Sequence, residues 1–205
     1  MKRRNACAAI GLFSLNACSL VPQGGTEEPT LHLLDARPGV ATVARRDIVL
    51  AVSLPRAAAG YDSAAMLYLR TPHALERYAT HRWVDTPARL VWPLIVQTLE
   101  ASAGYRAVVT AASGVPAPQR LDTEIVLLRQ NFLARPSRVE LQLRAQLVDL
   151  ASRRVLATRL FEVVQVSDSD DAPGGVIAAN QAIASALAQL SAWCAATGAA
   201  APPPS

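Results

Sequence analysis

Apolar and polar side chains alternate from residue 138 to 150 with a period of two. Val139, Leu141, Leu143, Ala145 and Leu147 fall on one side, and Arg138, Glu140, Gln142, Arg144 and Gln146 on the other. Successive side chains of a strand point to opposite faces, so this pattern predicts a strand with one face on a core and the other in water. The flanking runs Leu121–Phe132 and Val155–Val166 also read as strands. The connections Ala134–Ser137 and Ala151–Arg154 are short enough to join the three as an antiparallel meander. Shorter extended segments are predicted at Thr30–Ala36, Asp47–Leu54, Met66–Arg70, Leu75–Val84 and Tyr105–Thr110. In Asp47–Leu54 both alternate sets are apolar or small, which suits a strand partly covered on both faces.

The period changes to that of a helix twice. Thr86-Pro87 opens the first: Thr suits an N-cap, and Pro a first turn whose amides have no partner within the helix. Leu90, Val91, Leu94, Ile95, Thr98 and Leu99 form one stripe, and Gly104 marks the stop. Pro93 lies inside this stretch, where a kink or a later helix start would relieve its missing amide. A second helix over Gly175–Trp193 turns Val176, Ala179, Ile183, Leu187 and Leu190 inward. The expected fold is α+β: an antiparallel sheet containing the three-strand meander, with two amphipathic helices packed on one face.

The first residues belong to neither pattern. Lys2, Arg3 and Arg4 precede a short, mostly apolar run from Ala6 to Leu15, the layout of a secretory signal. Leu15-Asn16-Ala17-Cys18 resembles the bacterial lipobox, although Asn16 stands where that pattern usually has Ala, Ser, Thr or Val. The resemblance implies that the Cys18 thiol receives a diacylglyceryl group, that cleavage falls before it, and that the new amine is acylated. Ser19 at the next position implies sorting to the outer membrane. An ordinary signal peptide cleaved after Ala17 or a little later is the alternative. The expected organisation is a signal over residues 1–17, a lipidated cysteine and tether over 18–29, a domain over 30–194, and an unstructured Ala/Pro tail over 195–205.

Processing alters the charge. The 205-residue chain has a formal charge of +4, but residues 1–17 carry three basic and no acidic groups. The remainder sets 17 arginines and no lysine against 16 carboxylates. Arg45-Arg46 and Arg153-Arg154 are isolated pairs without interleaved aromatics, so no nucleic-acid partner is expected. Cys7 leaves with the signal, and Cys194, beside Trp193 on an apolar helix face, reads as a buried small hydrophobe. His32, His73 and His81 show no metal-ligand spacing. No GxSxG elbow, phosphate loop or dinucleotide turn is present, so no catalytic residue, cofactor or metal is assigned. Asp168, Asp170 and Asp171 suit a solvated acidic turn before the last helix better than half of a calcium loop.

One set of segments carries a resemblance. Gly60-Tyr61-Asp62, Met66-Leu67-Tyr68-Leu69-Arg70, His81-Arg82-Trp83-Val84-Asp85 and Thr86-Pro87-Ala88-Arg89 follow one another in order. Leu121-Asp122-Thr123-Glu124-Ile125, the run from Pro136 to Asp149, and Gly174-Gly175-Val176 through Ala182 continue it. Together they resemble the ABC-type transport auxiliary lipoproteins, the PqiC/YmbA-type components of MCE lipid-transport systems. The branch they look most like is the cholesterol transport system auxiliary component.

That resemblance implies a non-enzymatic, periplasm-facing subunit held by Cys18 on the inner leaflet of the outer membrane. Its implied partners are an MCE-domain protein and an inner-membrane ABC transporter, with phospholipid or sterol-like lipids moved between the membranes. The lipid, the direction of transport and the oligomeric state are left open. An exposed apolar strip would serve docking or lipid handover. Tyr68, Arg70, Trp83, Asp85 and Asn180 are the candidate structural or partner-contact residues, with Arg70 and Asp85 placed as a pair and Asn180 as a brace between helix and sheet. A scaffold or assembly factor for an outer-membrane complex, without lipid flux, is the rival reading.

Overall fold

A computed structural model describes residues 28–199. The expected signal, Cys18 and most of the expected tether fall in residues 1–27, which, with residues 200–205, lie outside the described residues. In chain order the elements are β1 (Thr30–His32), β2 (Arg46–Val52), β3 (Arg56–Ala57), β4 (Ala65–Thr71), β5 (Ala74–Trp83), α1 (Pro87–Ala101), β6 (Tyr105–Thr110), β7 (Gln119–Asn131), β8 (Arg138–Asp149), β9 (Arg154–Val166) and α2 (Ala172–Ala199).

Strand β7 organises the sheet. Along one edge it pairs with β8 from Gln119↔Asp149 to Asn131↔Arg138, and β8 pairs in turn with β9 from Arg138↔Val166 to Asp149↔Arg154. This is the antiparallel meander that the period of two predicts. The opposite edge of β7 is shared by three strands in succession. Leu50–Val52 of β2 pair with Gln119–Leu121, Arg56–Ala57 of β3 with Glu124–Ile125, and Tyr68–Leu69 of β4 with Gln130–Asn131. Two arms continue outward from these contacts: β6 beyond β2, and β5 then β1 beyond β4.

The sheet is therefore mixed, which corrects the all-antiparallel expectation. β2, β3 and β4 run parallel to β7, β6 runs parallel to β2, and β1 runs parallel to β5. Parallel neighbours need a long crossover, and the chain supplies one through α1 between β5 and β6.

Both helices cover the same face of this sheet. Val91, Ile95 and Leu99 of α1 join Ala179, Ile183, Leu187 and Leu190 of α2 in one cluster with Leu121, Ile125, Leu141, Leu143, Leu147 and Phe161. Each fully buried Leu, Ile or Phe contributes about 1.5–3 kcal/mol relative to exposure, which makes this cluster the main stabilising element. The buried face of α2 is broad because Ala178, Ala182 and Ala186 let the helix approach closely.

Local details differ from expectation at the helix ends. Thr86 holds the N-cap position of α1 but makes no side-chain cap; Asp85 instead accepts the Thr86 amide at 2.7 Å. Pro93 stands within α1, which begins at Pro87. The left-handed residue after α1 is Ala103 (φ 54°), while Gly104 is required because a Cβ there would lie 2.7 Å from Val43 Cγ2. Helix α2 starts three residues before Gly175 and runs past Trp193 to Ala199, into the segment expected to be a tail.

Candidate functional site

Tyr68 and Arg70 lie on β4 and form an aromatic cluster at its meeting with β7. The Tyr68 ring packs 4.7 Å from Tyr78 and 5.9 Å from Phe132, and the Arg70 guanidinium sits 5.0 Å above Tyr68. The Tyr68 hydroxyl donates to Glu76 Oε2 at 3.0 Å. Burial and this contact with Glu76 push its phenol above the ordinary range.

Trp83, at the end of β5, is buried in the core. Asp85 does not pair with Arg70. Its carboxylate takes Arg89, four residues on in the first turn of α1, at 2.9 Å, a shorter reach than across the sheet. Asn180 of α2 accepts the Asp35 amide at 2.8 Å and donates to the carbonyls of Leu33 (3.2 Å) and Val176 (3.1 Å). It ties α2 to the segment that follows β1.

The densest polar node contains none of these candidates. Gln130 of β7 is buried, accepts the Tyr78 hydroxyl at 2.8 Å, and donates to Ser137 Oγ at 2.9 Å and to the Asp171 carbonyl at 3.1 Å. Burial pushes the Tyr78 phenol up to about 12, so it acts as a donor throughout the ordinary pH range. Asp170 accepts the Ser137 amide at 2.6 Å, and this bond holds its carboxyl below the usual range. Asp171 accepts Ser169 Oγ at 2.6 Å and the Gly174 amide at 2.8 Å, and both lower its pKa. The acidic turn thus caps α2 and fastens it to the β7–β8 connection. Among the described residues no group of three metal-ligating side chains occurs.

Cys194 is fully buried, and desolvation pushes its thiol up to about 12, which leaves it without thiolate character. Arg46 stacks 4.2 Å over Tyr105 beside it and donates to the Cys194 carbonyl at 3.3 Å. The group is a packed corner between β2, β6 and α2.

The outer face of the sheet has a different character. Across β7 and β8, Arg129 meets Glu140 at 2.8 Å and Glu124 meets Arg144 at 2.7 Å, both pairs directly opposite in register. Gln142 donates to Glu162 across β8 and β9 at 2.7 Å. This polar ladder satisfies itself. At its margin β9 presents Leu160, Val164 and Val166 outward, each exposed, and its far edge has no strand beside it among the described residues. Thirteen residues of unpaired strand edge with an apolar face are a template for strand addition or protein contact.

A family model described as "ABC-type transport auxiliary lipoprotein component" matches residues 31–191. The chain belongs to this family. A transport auxiliary lipoprotein has membrane-associated partners. Among solved structures, protein XCC0632 from Xanthomonas campestris is 24% identical with a TM-score of 0.69, the match covering 84% of this chain and 95% of that one. The hypothetical protein CT253 from Chlamydia trachomatis is 11% identical with a TM-score of 0.52, over 74% of this chain and 99% of that one. Both share the fold. A search of curated proteins finds no match. No helix among the described residues is long and apolar enough to cross a membrane.

Proposed function

We propose that this auxiliary lipoprotein is the outer-membrane docking component of an MCE-type ABC system that moves lipids between the inner and outer membranes. Cys18 is its lipid anchor, residues 30–194 its working domain, and the β9 edge its contact with the MCE-domain partner. The family match over residues 31–191 carries the reading. The free edge of β9, with Leu160, Val164 and Val166 beside a closed polar ladder, supports its docking part. No step of bond chemistry is assigned to the domain, whose one described cysteine is inert and whose acidic turn is occupied in capping.

Photo-crosslinkers placed singly at positions 160, 164 and 166 of the lipidated protein test the docking role. The expected result is capture of the MCE-domain protein from these positions and not from position 142 in the ladder. Capture of neither partner nor lipid refutes it, and capture of outer-membrane assembly machinery alone replaces it with a scaffold role. Cys18→Ser should leave an unprocessed or soluble protein; unchanged outer-membrane fractionation refutes the anchor.

A further inference from the structure

The outer face of the arm formed by β4, β5 and β1 differs from the ladder. Register places Arg77 opposite Leu67, Arg82 opposite Ala65 and Leu31 opposite Arg82, so these side chains share one face. Leu75, opposite Leu69, joins them, and Val84 continues the face two residues beyond Arg82. Met66, Tyr78 and Trp83 point the other way, into the core. Leu31 and Leu33 are each 58% exposed, and Val84 and Leu75 are exposed as well.

No salt bridge reaches Arg77 or Arg82 among the described residues. The neighbouring carboxylates are engaged elsewhere, Glu76 with the Tyr68 hydroxyl and Asp85 with Arg89. Both arginines line a groove of about 270 Å³ together with Pro29, Ser63, Ala65 and His81. Half-exposed aliphatic groups interspersed with unpaired guanidinium groups match a membrane interface, where apolar side chains enter the headgroup region and cations meet phosphates.

The position of this face selects the occupant. Pro29 borders the groove, and β1 begins at Thr30. Only residues 19–29 separate β1 from Cys18, a span of at most about 40 Å when fully extended. An anchor at Cys18 ties the sheet to the bilayer at this arm, the end of the strand order opposite β9. We propose that the outer face of the β4–β5–β1 arm, through Leu31, Leu33, Val84, Arg77 and Arg82, rests on an anionic phospholipid surface. The inference rests on the lipid-anchor part of the reading above, and not on the identity of the transport partner. Strand β9 then stands five strand spacings away, about 24 Å across the sheet.

The test uses the full lipidated protein in vesicles of phosphatidylethanolamine and phosphatidylglycerol. Cys194 is buried and Cys18 is blocked by lipid, so an introduced cysteine is the sole labelling site. Leu33→Cys and Val164→Cys each carry an environment-sensitive fluorophore and are quenched by spin-labelled lipid. Quenching at position 33 should exceed that at position 164 by at least about threefold. The charge reversals Arg77→Glu and Arg82→Glu, added to Leu33→Cys, should weaken surface association by about fivefold or more for each charge lost. Equal quenching at the two positions, or a difference that survives both reversals, overturns the proposal. Flotation of the same samples reads the anchor by itself. A protein that floats yet leaves position 33 unquenched overturns the surface alone, and one that fails to float overturns the anchor and the surface together.

Discussion

Gly175→Ala is a sharp test of the polar node, because two effects of opposite sign act at one site. Gly175 lies in the first turns of α2, and a methyl there would overlap the Gln130 amide oxygen and lie 2.7 Å from its Cδ. A side-chain end usually yields at little cost. Here it is held by the Tyr78 hydroxyl on one atom and by Ser137 and Asp171 on the other, with no solvent into which to swing. Displacing it loses the Tyr78 bond and one amide bond, about 1 kcal/mol each, and leaves a buried polar group unmet at about 1–3 kcal/mol. Against this, alanine gains about 1 kcal/mol over glycine in a helix. The balance is a loss of about 2–4 kcal/mol.

Guanidinium unfolding followed by the fluorescence of Trp83, Trp92 and Trp193 measures it. The double-mutant cycle with Gln130→Ala sharpens the sign. Once the amide is gone the methyl has room, and Gly175→Ala should then stabilise by about 1 kcal/mol. A single mutant as stable as the parent, or two changes that simply add, would show that Gln130 is not held as described.

Three further outcomes follow from the same geometry. Asn180→Ala removes two bonds between α2 and the segment after β1 and a third within α2, and should cost about 1–2 kcal/mol. Amide exchange at residues 33–36 should rise before that of β8, and uniform exchange would contradict the brace. The Asp171 carboxyl is held below its ordinary value by Ser169 and Gly174, so its contribution is present above the unfolded value of 3.8 and is lost as pH falls through the folded one. Asp171→Asn, which keeps an acceptor at the cap, should flatten the fall in stability below about pH 4, and an unchanged slope would exclude this carboxyl as its source. His32, bonded to His81 at 2.9 Å, is depressed from 6.5 by burial and then by His81. The unfolded chain takes up this proton first, so the contribution is present above pH 6.5 and is lost as pH falls through the folded value. Exchange of the Val84 amide, which donates to the His32 carbonyl, should increase over that interval relative to β8. Exchange that stays flat with pH would rule the histidine pair out as the source of this stability.

The meander was legible because its information is local. Both neighbours of β8 are its neighbours in sequence, and their short connections fix pairing and direction. The parallel contacts were not legible. Leu50 meets Gln119 and Tyr68 meets Gln130 across long stretches of chain, and alternation in a short strand carries no mark of its partner's direction. Gln130 was hidden by a change of phase. Leu121, Thr123 and Ile125 face the core at odd positions, the register shifts between Ile125 and Leu127, and Leu128 and Gln130 then face it at even ones. Asn180 could be read, since an amide beside an apolar stripe must find partners. The Arg70–Asp85 pairing failed because Arg89, in the first turn of α1, lies four residues beyond Asp85, while Arg70 has aromatic rings to cover.

The distribution of unused surface constrains how such a domain can work. Direct cross-strand pairs close the middle of the outer face, so a partner meeting it there would have to break Arg129–Glu140 or Arg144–Glu124 and recover their desolvation cost. Besides single exposed residues such as Leu54, Val115, Leu133 and Ile177, apolar groups lie uncovered at two ends of one sheet, Leu31 and Leu33 on the β1 side and Leu160, Val164 and Val166 on the β9 side. A hydrogen-bonded sheet transmits position between its ends with little strain, because each strand is fixed to the next along its length. If the β1 end meets the bilayer, the sheet holds the β9 edge at a set height above it. A partner arriving from the periplasm would then find the strand edge in one orientation, which lowers the orientational cost of docking. Lengthening residues 19–29 should loosen that geometry only where the arm does not itself touch lipid. Crosslinking from position 164 should therefore withstand a longer tether in the parent, and fall when Arg77→Glu and Arg82→Glu are combined with it.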